Sequence, residues 1–207
     1  MPVRFRLFYK DSDMQLDPLI VLVISIGFGV LFLSTTSHKI REFAQFRVIL
    51  ADYQLLPDVL ITPCACTVVV IELALTACWF SVLWTPLLVA PTAVLSAALL
   101  TLYFIAVGIN LARGRVHISC GCGIPGANNA DQPLSSGILV RNSVLALLAL
   151  VCVLPVIERA LYWFDYVAVA TALLIASILY AATSQLLSNS AAMAAWRQTV
   201  NETEPGG

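Results

Sequence analysis

Charged residues are scarce in this 207-residue sequence: they make up 11% of it, whereas 60% of its residues are hydrophobic. The mean hydropathy is +0.91. A water-soluble domain of this size needs more polar residues than these to cover its surface. The shortage of charge therefore excludes an ordinary soluble domain and predicts a chain that folds in a lipid bilayer.

Long runs of one charge are also absent, and the formal net charge is −1. Nucleic acids and anionic headgroups are usually bound by clusters of Lys and Arg. The sequence therefore predicts no nucleic-acid partner, and the surface that it is expected to meet is the lipid bilayer itself.

Five apolar stretches are each long enough to cross a membrane as a helix, which takes about 20 residues. Asp17 followed by Pro18 is typical of a helix start. Within residues 38–50, apolar residues recur at spacings of three and four, which predicts an amphipathic helix in the membrane interface. We therefore predict an all-α, polytopic membrane helical bundle of five transmembrane helices, with an interfacial helix between the first and second. The predicted spans are residues 19–36, 63–84, 86–111, 135–156 and 162–187.

The ends of the chain are more polar than its centre. Residues 1–18 form a predicted N-terminal arm, residues 19–187 the transmembrane domain, and residues 188–207 a flexible C-terminal tail. Three tryptophans lie near the ends of predicted spans, where tryptophan commonly sits in the membrane interface. These are Trp79, Trp84 and Trp163.

Four of the six cysteines form two Cys-x-Cys pairs. Cys64-Ala65-Cys66 begins the second predicted span, and Cys120-Gly121-Cys122 lies in the loop before the fourth. Two crossings separate the pairs, so both are predicted at the same membrane surface. The predicted position of Cys64 at a helix N-terminus favours a reactive thiolate. Cys78 and Cys152 stand alone in apolar stretches, where cysteine usually acts as a small hydrophobic residue.

Three kinds of chemistry are open to the two pairs. Helical residues two positions apart point about 200° apart, so Cys64 and Cys66 are not expected to bond to each other within a helix. Cys120 and Cys122 can close a strained and therefore labile disulfide, or one cysteine of each pair can meet. A structural disulfide is the second possibility. Metal binding is the third, but zinc ligands are usually spaced C-x₂₋₄-C, and no Met-rich stretch indicates copper(I). No metal site is predicted.

Two ionisable residues, Glu72 and Arg141, lie well inside the predicted spans. Such residues are costly in a bilayer and indicate either function or pairing. Their predicted depths differ by about three residues, at about 1.5 Å each, which an arginine side chain can bridge. We therefore predict an ion pair between them. With Asn110, Arg113 and Asn142 they form either a structural link or a polar pocket for a quinone headgroup or a proton path.

Several motifs resemble those of the methylamine utilisation protein MauE family, whose layout is similar to DoxX-like bundles. The resemblance covers about residues 19–160. It rests on residues 110–115 (Asn-Leu-Ala-Arg-Gly-Arg), 120–123 (Cys-Gly-Cys-Gly) and 139–142 (Leu-Val-Arg-Asn). It implies a role beside a periplasmic thioredoxin-like partner, MauD, in disulfide formation and maturation of the small subunit of methylamine dehydrogenase. Cys120 and Cys122 match the family's Cys-Gly-Cys.

The resulting hypothesis is a membrane thiol–disulfide oxidoreductase with Cys120, Cys122, Cys64 and Cys66 as its catalytic cysteines. Electrons would pass between the thioredoxin-like partner and a membrane acceptor such as a quinone, and no other cofactor is predicted. The alternative is a non-enzymatic membrane anchor or scaffold for a redox partner, in which Cys120–Cys122 is a structural staple.

A periplasmic partner requires the cysteine pairs on the outer face of a bacterial inner membrane. The positive-inside rule favours the opposite orientation, because the cysteine face carries seven Lys and Arg residues and the other face four. Some of the seven can belong to the interfacial helix or to the thiol site, so we predict a periplasmic cysteine face. The seven are Lys39, Arg41, Arg47, Arg113, Arg115, Arg141 and Arg197.

Overall fold

The computed structural model describes residues 15–82, 84–114, 136–157 and 159–203. These residues form α-helices joined by short connections, and no strand occurs among them beyond a single bridge. The predicted all-α fold is therefore confirmed for the described residues. The helices are α1 (Pro18–Arg41), α2 (Phe43–Asp52), α3 (Asp58–Ser81), α4 (Val89–Ala112), α5 (Ser136–Val151) and α6 (Trp163–Thr203), with a 3₁₀ turn at Pro86–Leu88.

Four helical segments are long and apolar enough to cross a membrane. They correspond to the first, second, third and fifth predicted spans, which confirms a helical membrane protein. The fourth predicted span corresponds to α5, whose described part has 16 residues and is shorter than the about 20 residues of a typical span. The four segments are Pro18–Arg41, Asp58–Ser81, Pro86–Ala112 and Trp163–Thr183.

The start of α1 follows the sequence prediction and is tied to the start of α6. Asp17 caps α1 by accepting a hydrogen bond from the Leu19 amide at 2.8 Å. Arg159 donates to both carboxylate oxygens of Asp17 and to both of Asp165. Partial burial raises the pKa of Asp17, but the hydrogen bonds from Arg159 and the Leu19 amide outweigh it and hold this pKa below its ordinary value of 3.8.

A short backbone contact fixes the same end of the bundle. The Leu16 amide donates to the Pro155 carbonyl at 2.8 Å, and the Ile157 amide donates to the Leu16 carbonyl at 2.9 Å. We call this end, defined by Leu16, Asp17 and Arg159, the clasp end. The opposite end, where α3 and α5 begin and α4 finishes, is the cysteine end.

The core lies between α1, α3, α4 and α5, and Trp79 is its largest fully buried side chain. Its ring stacks on Phe28 with 5.3 Å between centroids, and its Nε1 donates to Ser96 Oγ at 2.9 Å. Trp79 is 0% exposed, so the expectation that it anchors the membrane interface is wrong. The position of Trp79 near the end of α3 indicates its depth in the membrane, but it does not indicate whether the side chain faces the lipid or the core. Close to it, a Cβ added to Gly29 would lie 3.0 Å from the Phe80 ring, so α1 and α3 approach closely.

Three helix boundaries differ from the prediction. α1 continues to Arg41, so residues 38–41 belong to it and not to a separate amphipathic helix. α3 begins at Asp58 with Pro63 inside it, five residues before the predicted start. α6 continues to Thr203, through most of the segment predicted as a flexible tail.

Candidate functional site

A buried ion pair joins α1 and α3. Lys39 Nζ lies 2.5 Å from Glu72 Oε1, and the two side chains are 3% and 1% exposed. Tyr103 on α4 donates its hydroxyl to the same Oε1 at 2.7 Å, and Thr36 donates to Oε2 at 3.4 Å. Both oxygens of the carboxylate are thus satisfied, as a buried charge requires. We call Lys39, Glu72 and Tyr103 the buried cluster.

Lys39 is further held by two aromatic rings. Its Nζ lies 4.9 Å from the ring centroid of Tyr103 and 5.1 Å from that of Phe46. Cation–π contacts of this length are favourable, particularly away from water. Because Phe46 belongs to α2, these contacts also connect α2 to the interior of the bundle.

The predicted ion pair between Glu72 and Arg141 is wrong. Glu72 pairs with Lys39, whereas Arg141 Nη1 donates to the Tyr180 hydroxyl at 3.5 Å. The guanidinium carbon of Arg141 lies 6.0 Å from the centroid of the Tyr180 ring. The prediction failed because it placed Lys39 in an interfacial helix, whereas the continuation of α1 brings Lys39 to the layer of Glu72.

Glu72 and Arg141 nevertheless line one small cavity of about 30 Å³. Five helices contribute to its wall, and α6 does so through one residue. The lining residues are Leu31, Phe32, Thr35, Lys39, Glu72, Leu100, Tyr103, Arg141, Asn142, Leu145 and Tyr180. Three of the five predicted pocket residues, Glu72, Arg141 and Asn142, therefore come together.

The other two predicted pocket residues lie elsewhere. Asn110 is 0% exposed on α4, and its Nδ2 donates to the Ala106 carbonyl at 3.0 Å. Arg113 is exposed and caps the C-terminus of α4. Gly114 follows it with φ 71°, the left-handed conformation that commonly ends a helix. Neither Asn110 nor Arg113 lines the cavity.

Cys64 and Cys66 are free thiols on α3. Cys64 is half-buried and Cys66 exposed, as expected for helical residues about 200° apart. The expectation that Cys64 sits at a helix N-terminus is wrong, because α3 begins six residues earlier at Asp58. The favourable field of a helix N-terminus is confined to its first turn. Cys66 precedes Glu72 by six residues, about 9 Å along the helix.

Cys120 and Cys122 lie outside the described residues. The chain leaves α4 at Gly114 and re-enters the described part at Ser136, both at the cysteine end. Of the remaining thiols, Cys78 is half-buried and Cys152 is 2% exposed. The described residues contain no group of three His, Cys, Asp or Glu side chains placed to hold a metal ion.

The profile of the family described as "Methylamine utilisation protein MauE" matches residues 17–155. The chain belongs to the MauE family. It is 34% identical over 139 residues to the MauE protein of Paracoccus denitrificans, a match covering 67% of this chain and 71% of that protein. It is 30% identical over 146 residues to the MauE protein of Methylorubrum extorquens, covering 70% and 75% of the two chains. No solved structure matches this chain.

Membership of the MauE family confirms the resemblance predicted from the motifs and associates the chain with methylamine utilisation. The matched region runs from Asp17 to Pro155 and so contains both cysteine pairs and the buried cluster. It ends before α6. The α6 residues Asp165 and Tyr180 lie outside the matched region.

Two residues of the buried cluster were missed by reasoning from the sequence, Lys39 and Tyr103. The available signal was the apolar run before Lys39, since a lysine three residues after Thr36 shares a helix face with it. Tyr103 carried no comparable signal. A single tyrosine in an apolar span more often faces lipid or the core than a carboxylate.

Proposed function

We propose that this MauE family member is a membrane thiol–disulfide oxidoreductase that works with a periplasmic thioredoxin-like protein of the MauD type. Its client would be a disulfide-containing protein such as the small subunit of methylamine dehydrogenase. The observation that carries the proposal is the Cys120-Gly121-Cys122 pair in the connection between α4 and α5. Its support is that both ends of this connection lie at the cysteine end, together with the start of α3.

The proposed reaction has two balanced halves. The thiols of Cys120 and Cys122 lose two electrons and two protons as an S–S bond forms between them. A membrane acceptor of the quinone class takes up the two electrons and two protons and becomes a quinol. The disulfide then exchanges with the dithiol of the thioredoxin-like partner, which leaves oxidised, and the Cys120–Cys122 dithiol is restored.

The acceptor is proposed as a freely diffusing quinone. A cavity of roughly 150 Å³ is known to hold a single benzene ring, so one of about 30 Å³ is too small for a quinone ring as it stands. We therefore propose contact between quinone and thiols at the lipid-facing surface of the cysteine end. The role of Cys64 and Cys66 would be to exchange with Cys120 or Cys122, since they cannot pair with each other within α3.

We propose that α5 completes a fifth membrane crossing and that α2 lies in the interface. The chain after α5 reaches Leu16 at the clasp end, which supports a full crossing. The orientation is proposed with the cysteine end in the periplasm and the protein in the bacterial inner membrane. Lys39 is buried and Arg141 lines the internal cavity. With these two removed from the seven cations counted on this face, five remain against four, so the difference that opposes this orientation falls from three residues to one.

Trapping of mixed disulfides tests the proposal. In Cys120→Ser or Cys122→Ser, the remaining cysteine should accumulate a covalent complex with the thioredoxin-like partner that reductant dissolves. Cys78→Ser is the matched control, because this half-buried single cysteine is not part of either pair. The proposal fails if both variants leave client disulfides intact in cells.

A non-enzymatic scaffold for a redox partner is the second candidate. It is favoured by the placement of Cys64 and Cys66 on different sides of α3, which excludes a second disulfide between these two residues. In this case Cys120–Cys122 is a staple, and it should resist reduction by glutathione in alkylation assays on the purified protein. A catalytic pair should instead be reduced and alkylated.

A further inference from the structure

The cavity beside the buried cluster has several polar residues in its lining. Lys39, Glu72 and Tyr103 belong to α1, α3 and α4. Arg141 and Asn142 both belong to α5. Asn142 and the buried cluster thus line the same cavity, whose volume is about 30 Å³. The lining of the cavity is therefore rich in hydrogen-bonding groups.

The unpaired donor of Asn142 indicates that the cavity holds a hydrogen-bond acceptor. It is 2% exposed, and its Nδ2 has no hydrogen-bond partner among the described residues. Nearly all buried amide groups of native proteins are paired with protein or with ordered water. In a membrane protein, where bulk water does not reach the interior, an unpaired donor is especially unfavourable. The donor of Asn142 thus calls for an acceptor inside the cavity.

The size and chemistry of the cavity select water as that acceptor. A cavity needs about 10–15 Å³ for one water molecule, together with two to four polar partners. A volume of about 30 Å³ gives room for about two. Dry cavities are lined by apolar groups alone, and this one is not. Glu72 and Tyr103 supply acceptors, whereas Lys39 and Asn142 supply donors.

We propose that the cavity is a water-binding site, and that its water joins the buried cluster and Asn142 into one hydrogen-bonded network. The site is independent of the thiol chemistry proposed above. Its water also gives Glu72 a proton donor besides Lys39, Thr36 and Tyr103. The network could also carry protons released by thiol oxidation, and this role would rest on the proposed function.

Hydroxyl-radical footprinting with X-ray pulses tests the site in the full chain, because radicals formed from internal water label the side chains next to it. Phe32 and Phe28 lie one turn apart on α1 and are 1% and 3% exposed, but only Phe32 lines the cavity. Peptide mass spectrometry should show labelled Phe32 and unlabelled Phe28. Equal and negligible labelling of both residues would show a dry cavity and overturn the proposal.

Two variants separate internal water from leakage of solvent. Leu145→Phe should fill the cavity and lower the labelling of Phe32 several-fold, because Leu145 lines it. Leu147→Phe is the matched control, since Leu147 lies on the same helix, is 65% exposed and does not line the cavity. Unchanged labelling of Phe32 in a folded Leu145→Phe variant would overturn the proposal. If that variant does not fold, Asn142→Leu replaces it. Lower labelling of Phe32 in Asn142→Leu would support the proposal, and unchanged labelling would overturn it.

The footprinting measurement involves no thiol reaction, so its failure is distinguishable from failure of the proposed oxidoreductase. A protein with labelled Phe32 and inactive cysteines would retain the water site and lose the proposed function. An active protein with unlabelled Phe32 would retain the proposed function and lose the water site.

Discussion

Lys39 and Glu72 form an ion pair across 33 positions of the chain, at 2.5 Å between Nζ and Oε1. Breaking a buried ion pair from one side leaves an uncompensated charge and typically costs about 3–5 kcal/mol. The contact therefore couples α1 to α3 more strongly than an exposed pair, which contributes roughly 0–1 kcal/mol.

Substitution of Glu72 should destabilise the protein strongly. Glu72→Gln is expected to lower the unfolding free energy by about 3 kcal/mol or more, because Lys39 then stays buried without its counter-ion. The measurement is unfolding in detergent, followed by circular dichroism. Glu42→Gln is the matched control: Glu42 pairs with His38 at 3.5 Å but its side chain is 46% exposed. The double variant Lys39→Met, Glu72→Leu should lose less than the sum of the two single variants. Similar stability of Glu72→Gln and Glu42→Gln would contradict the importance of the pair.

The contact between α1 and α3 should be sensitive to size at Gly29. Gly29→Ala places a methyl group 3.0 Å from the Phe80 ring and is expected to cost about 1–3 kcal/mol through overpacking. Gly27→Ala is the control on the same helix, because its Cβ would lie 3.9 Å from Leu173, an ordinary contact. This control should be neutral or slightly stabilising, since alanine favours a helix. Equal thermal stability of the two variants would show that the helices do not approach as described.

Oxidation should distinguish the two cysteine pairs. A variant that keeps only Cys64 and Cys66 should retain two free thiols after treatment with copper-phenanthroline, because the helix directs them about 200° apart. Intact-mass measurement after alkylation counts these thiols. A variant that keeps only Cys120 and Cys122 should lose both under the same conditions. A bond between Cys64 and Cys66 would be inconsistent with a regular α3 at these residues.

Acidification should weaken the clasp end. The pKa of Asp17 is lowered in the folded protein, so its carboxylate stabilises the fold fully above its ordinary value of 3.8 and less as the pH falls below it. The side chains of Asp17 and Arg159 are both more than a third exposed. The loss of unfolding free energy on acidification should therefore be at most about 1 kcal/mol. Asn retains the helix cap and removes the charge, so Asp17→Asn should lose this part of the pH dependence. Thermal unfolding at pH values on both sides of 3.8 measures the difference, and identical profiles would argue against the contribution.

The helix ends that were predicted correctly carry local signals. Asp17 and Pro18 specify the start of α1 by themselves. The third predicted span ends at residue 111, one residue before the end of α4, where Gly114 follows in the left-handed conformation. The start of α3 was misplaced because two prolines precede or interrupt it. Either Pro57 or Pro63 is compatible with a helix start, and the sequence does not choose between them.

The candidate site was predictable in its members and not in its pairing. Glu72, Arg141 and Asn142 stand out as polar residues in apolar spans, and all three line the cavity. The partner of Glu72 depends on where α1 ends and on how far it is displaced along α3. Both depend on tertiary packing and cannot be predicted by counting residues within each span.

The contacts of Arg159 and Leu16 have a mechanical consequence. The clasp end is tied by a guanidinium that joins two carboxylates and by two backbone hydrogen bonds. At the other end, α2 contains no buried residue and contacts the interior through Phe46 and Ile49. An ion-pair network and main-chain hydrogen bonds thus hold the clasp end, whereas side-chain packing holds α2 at the other end. A protein that displaces α2 at the cysteine end should therefore leave the clasp end closed, and Arg159→Ala should weaken the clasp end without altering the surface that is touched.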